Sequence, residues 1–78
     1  MKYIMFEDST GLSTPIIFPA WMGHDEVSRA FPNYKIQSAG SVLMDDGDNI
    51  VTSGKSIMLN VSSHSDDAKH IKELLRDY

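Results

Sequence analysis

The run Tyr3-Ile4-Met5-Phe6 is the strongest constraint in this chain. A strand turns successive side chains to opposite faces, so four apolar residues in a row leave no polar face for water. Lys2 to Phe6 therefore reads as a central strand buried on both faces or nearly so. Asp8-Ser9-Thr10-Gly11 is dense in turn formers and Ile16-Ile17-Phe18 follows it, which predicts an antiparallel hairpin. Pro15 and Pro19 bracket that second run. Without backbone donors they confine it to a short strand at a sheet edge or a bulge.

The segment Gly23 to Phe31 ends at Pro32 and carries Asp25 and Glu26 where acids favour the helix dipole, so it predicts a helix of about two turns. Gly23 is its expected N-cap, Glu26 stands at N3, and Met22 is placed to staple onto Val27. Val27, Ala30 and Phe31 share one face. From Tyr34 to Met44 the chain alternates as a long strand, with an unusually small middle, Ser38-Ala39-Gly40-Ser41. A glycine there marks a bulge or a place of close approach. Asp45-Asp46-Gly47-Asp48-Asn49 is a turn signal, and Ile50-Val51-Thr52 begins a partner strand. Ser53-Gly54-Lys55-Ser56 interrupts it, and Ile57, Leu59 and Val61 alternate as a further half-buried strand. Ser63 to Tyr78 is the best-marked helix, with Ala68, Ile71, Leu75 and Tyr78 on one stripe, Leu74 beside them, and Ser63 or Ser65 as its cap. The expectation is one α+β domain over residues 1–78, in the order ββαβββα. Its two helices would pack on one face of a small, mainly antiparallel sheet.

Seventy-eight residues with 41% hydrophobic and 23% charged side chains match a folding globular chain rather than a disordered one. A chain this short buries only about 60% of its unfolded surface, so its stability margin is thin. The absence of cysteine removes disulfides, thiolate metal sites and thiol nucleophiles. The amino terminus turns acidic at Glu7-Asp8, too early for a signal peptide or a membrane span, so the expected location is cytoplasmic and no membrane is an expected partner. The net charge is −4 and no two basic residues are adjacent, which argues against direct nucleic-acid binding.

Partial catalytic and metal motifs each fail on spacing. Gly54-Lys55-Ser56 resembles the end of a phosphate loop, but the required first glycine is replaced by Asn49 and a strand, not a helix, is expected to follow. The Asp45 to Asn49 cluster lacks the glutamate of a calcium loop, with Ser56 at the closing position. His24, His64 and His70 offer no pair at the i, i+4 spacing of two ligands on one helix face. No cofactor or metal is therefore expected. Should a general base exist, His64 or His70 is the first candidate.

Trp21 lies in the connection Pro19 to Gly23 and admits two readings: a plug under the loop or an exposed anchor together with Phe18 and Met22. The acidic turn Asp45, Asp46 and Asp48 likewise reads either as solvated or as a surface that imitates nucleic acid toward a basic partner. The stretches Met1 to Glu7 and Ile16 to Pro19, together with Gly54-Lys55-Ser56-Ile57 through Ser65-Asp66-Asp67-Ala68, resemble small accessory proteins of tailed phages and prophages. That resemblance implies binding to a host or phage protein, for example as an anti-defence inhibitor. The leading expectation is a non-enzymatic protein-binding module acting through Phe18, Trp21, Met22, Asp45, Asp46 and Asp48. One alternative is a self-associating structural or accessory subunit, a homodimer for example, and the other a small hydrolase or metal-dependent enzyme with His64 or His70 as base.

Overall fold

A computed structural model describes residues 1–44, 47 and 49–76 of the chain, Arg76 by its backbone alone. Its elements run β1 (Lys2–Glu7), β2 (Ser13–Phe18), α1 (His24–Arg29), β3 (Lys35–Met44), β4 (Ile50–Ser53), β5 (Lys55–Ser56), β6 (Val61–Ser62) and α2 (Asp67–Arg76). Four strands form one antiparallel sheet in the order β2-β1-β3-β4, and β5 and β6 form a separate two-stranded hairpin. The α+β class, the antiparallel sheet and the broad order agree with the sequence reading.

β1 occupies the interior of the sheet, and its four apolar residues are all buried. Ile4 and Phe6 point to one face, where they join Phe18, Val27 of α1 and Ala39, with Met22, Phe31, Leu59 and Val61 packed around them. Tyr3 and Met5 point to the other face and meet Val42 and Ile71 of α2. The two helices therefore lie on opposite faces of the sheet, not on one as the sequence suggested. The physical reason is β1 itself: a strand apolar on both sides needs a cover on both sides, so the sheet becomes the middle of three layers.

Local chemistry explains the elements. Asp8 closes the first hairpin by accepting from the backbone N–H of Thr10 at 2.9 Å and of Leu12 at 3.0 Å. The Thr10 hydroxyl at 2.5 Å, ahead of those N–H groups, holds the Asp8 carboxyl below its usual range. Gly11 completes the turn at φ 86°. Pro15 sits in β2, an edge strand, where a missing donor costs least. At α1 the Glu26 carboxylate reaches back to the Gly23 N–H at 3.1 Å, the cap expected from the sequence. α2 begins at Asp67, three residues later than a Ser63 cap implies, and the Asp67 carboxylate accepts from the His64 N–H at 2.8 Å, one residue along from the Ser63–Asp66 pair.

Gly40 marks a close approach, as its place in a strand suggested. A methyl group built there would stand 2.4 Å from the Ser53 carbonyl oxygen and 3.3 Å from Ser63 Cβ. The chain departs from the sheet at this point: Gly54, at φ 78°, redirects it into β5. The expected strand over residues 57–61 does not form. Ile57 to Asn60 instead make the turn between β5 and β6, with Asn60 at φ 55°, and only Val61 of that stretch is extended. Ile57 and Met58 point out, 82% and 70% exposed, whereas Leu59 packs inward. Because Lys55–Ser56 is a strand, the phosphate-loop likeness also has no helix to complete it.

Candidate functional site

Residues 19–23 connect β2 to α1. The Met22 N–H donates to the Pro19 carbonyl at 3.1 Å, so Pro19 to Met22 form a turn with Trp21 at its third position. Lys2 Nζ donates to the Met22 carbonyl at 3.0 Å and ties the loop to β1. The Met22 side chain packs against the core beneath. The loop is thus fixed by backbone, by an ammonium and by an apolar contact, while Trp21 stands 81% exposed.

Its exposure leaves Trp21 outside the core and separates it from its neighbours. Phe18 is buried, with its ring edge-on to the His24 imidazole at 5.4 Å, so it is a core residue and not part of an exposed anchor. Its position at the inward-facing end of an edge strand is what buries it. Met22 is half-buried and acts as the pivot under the loop. His24 is buried too: its Nε2–H donates to the Gly40 carbonyl at 3.0 Å, which fixes α1 to the middle of β3. Asp45, Asp46 and Asp48 lie outside the described residues.

Two apolar residues of the surface were not singled out from the sequence. Leu43 and Val51 are cross-strand partners in β3 and β4, 65% and 56% exposed. By alternation Leu43 shares the face of Ala39, the α1 side of the sheet. Lys2, which holds the Trp21 loop, is paired with Ser41 one step along that same face. Trp21, Leu43 and Val51 therefore belong to the same end of one face. The signal available in the sequence was negative: the helix before β3 is too short to cover a ten-residue strand.

The opposite face carries a polar cleft of about 540 Å³ between α2 and the outer ends of β1 and β3, bounded by Glu7, Lys35, Gln37, His64 and His70. Its floor is a hydrogen-bonded hub. The buried Asp67 carboxylate accepts from the Tyr3 hydroxyl, from Ser38 Oγ at 2.8 Å and from the His64 N–H. Burial first, and then the adjoining carboxylate, push the Tyr3 phenol well above its usual range.

The cleft brings together both candidate bases, His64 and His70. Ser38, on the floor of the cleft, donates its hydroxyl to Asp67. The His64 ring is largely exposed and faces Asp66 at 4.0 Å. Among the described residues no group of three or more histidines and carboxylates could hold a metal ion, and no helix is long and apolar enough to cross a membrane. No family model matches the chain, and the searches of curated proteins and of solved structures return no match.

Proposed function

We propose that this chain is a non-enzymatic protein-binding module whose anchor is Trp21. The observation that carries the reading is an 81% exposed tryptophan on a loop tied down at both sides. A fixed loop loses little freedom on binding, so most of the gain from covering the indole is retained. At about 25 cal/mol per Å² and roughly 200 Å² for the side chain, of which 81% is open, that gain is on the order of 4 kcal/mol before ordering costs. Leu43 and Val51 extend the apolar surface, and the acidic balance of the chain favours a partner with a basic rim. The finer assignment, an inhibitor or regulator of a bacterial host protein, follows from the phage-type resemblance.

The test compares wild type with Trp21→Ala as bait in lysate of a bacterial host. The variant should keep its thermal stability within about 0.5 kcal/mol, as an exposed residue does, and lose the captured protein through a drop of ten-fold or more in affinity. Persistence of the complex at high salt would assign the affinity to the indole rather than to surface charge. Equal capture by both baits, or unfolding of the variant, contradicts the proposal.

A further inference from the structure

The two edges of the main sheet are unlike each other. β2 carries Pro15, a residue that blunts strand addition, and it is the strand on which α2 leaves Leu12 to Pro15 beside a shallow groove. β4 reads Ile50-Val51-Thr52-Ser53, with no proline and no charge, and it forms the opposite edge. Natural sheets protect an edge with such residues because its unpaired N–H and C=O groups template another strand. Here the edge is also joined to an uncovered apolar pair, Leu43 and Val51.

The edge itself selects the occupant. β4 carries no charged residue, so nothing in it repels an identical strand. A two-fold axis normal to the sheet requires a residue to face its own copy, because only then do side chains stay on their own faces. Centring the axis on Val51 lines up Leu43, Val51, Val51 of the second copy and Leu43 of the second copy as one apolar row across the face.

We infer that β4 pairs antiparallel with β4 of a second copy of this chain, centred on Val51, to make an eight-stranded sheet. The inference goes beyond the Trp21 reading and does not depend on it. With the axis on Val51, Ile50 faces Thr52 of the second copy, Val51 faces Val51 and Thr52 faces Ile50, and these three pairs with one apolar row place the interface below about 1,200 Å², the size of a weak, reversible contact.

Sedimentation of the full chain from about 1 µM to about 1 mM should show a mass rising from 8.7 kDa toward twice that value. Val51→Lys, which sets two ammonium groups opposite each other, should keep the fold by circular dichroism and weaken the dimer at least ten-fold. Because the chain has no cysteine, Val51→Cys offers a second, size-conserving readout. Residues directly opposite in an antiparallel pair lie within disulfide reach, so mild oxidation should cross-link this variant rapidly, while Ile57→Cys on the exposed turn should not. Trp21→Ala should dimerise normally. A mass fixed at 8.7 kDa overturns the inference. So does a Val51→Cys variant that cross-links no faster than Ile57→Cys.

Discussion

Replacing Tyr3 with Phe removes one oxygen from the hub that joins α2 to the sheet. Tyr3 is fully buried, and its hydroxyl donates to a carboxylate that α2 supplies at its first residue. A hydrogen bond to a charged group contributes about 1.5–3 kcal/mol. Asp67 keeps its bonds from Ser38 and the His64 N–H in the variant, so the carboxylate is not orphaned and the cost falls at the lower end, about 1.5–2 kcal/mol. A domain of this length has roughly 4–12 kcal/mol in total, and each kcal/mol moves the midpoint by about 4–8 °C. Thermal unfolding at neutral pH should therefore drop by roughly 6–16 °C. The alkaline limb supplies the independent check. The folded phenol has its pKa raised above the unfolded value near 10, so its contribution is complete below pH 10 and is lost as pH rises toward the folded value. Urea unfolding of wild type should lose stability above pH 10 more steeply than Tyr3→Phe, and the two curves should converge. Parallel curves, or a variant as stable as wild type at pH 7, would refute the hub as the tie between α2 and the sheet.

Two further perturbations test the backbone arguments. Gly40→Ala should cost about 3 kcal/mol, the upper end of overpacking, because the new methyl meets the Ser53 carbonyl rather than a movable side chain, whereas Ser41→Ala at the exposed neighbouring position should be silent in the same urea titration. Asp8 has a depressed carboxyl pKa, so its hold on the hairpin is present above the ordinary Asp value near 3.9 and lost as pH falls through the lower folded value. Amide shifts of Thr10 and Leu12 followed by NMR should titrate together with a midpoint below that ordinary value, and Asp8→Asn should abolish the transition.

The strands that carry the fold were legible because their patterns are local. Tyr3 to Phe6 announced a central strand, Pro15 an edge, and Gly40 a close approach, and each of these is a steric or hydrogen-bonding constraint acting on the residue itself. The same run that announced the central strand also required cover on both faces, a consequence that alternation in the helices cannot reveal. The 57–61 segment misled because Ile57, Leu59 and Val61 alternate as a strand would. Its Asn60 adopts a positive φ, and the two large residues at its start point to water. At the candidate site, Trp21 could be placed on its loop but not in or out of the core, since the loop's path is set by Lys2 of β1 and by Met22 packing on the core. The Asp67 hub was invisible for a similar reason: its side-chain donors, Tyr3 and Ser38, lie 64 and 29 residues away, and no spacing rule links them.

The location of the exposed apolar surface follows from geometry. α1 has six residues and rises about 9 Å, whereas β3 has ten and spans roughly 33 Å. One short helix with the β5–β6 hairpin cannot cover that length, and what they do cover is the end holding Ile4, Phe6 and Ala39. The far end of the same face is left with Leu43 and Val51, and the Trp21 loop stands at its border. Water solvates this apolar row at a cost of about 25 cal/mol per Å². Polar side chains at positions 43 and 51 would remove that cost without touching either core cluster, because neither residue belongs to one. The chain instead keeps both apolar and places them on an edge that lacks proline and charge. Such a surface has a physical use only when something covers it, which is why both the anchor at Trp21 and the pairing of β4 are sought at this end of the sheet.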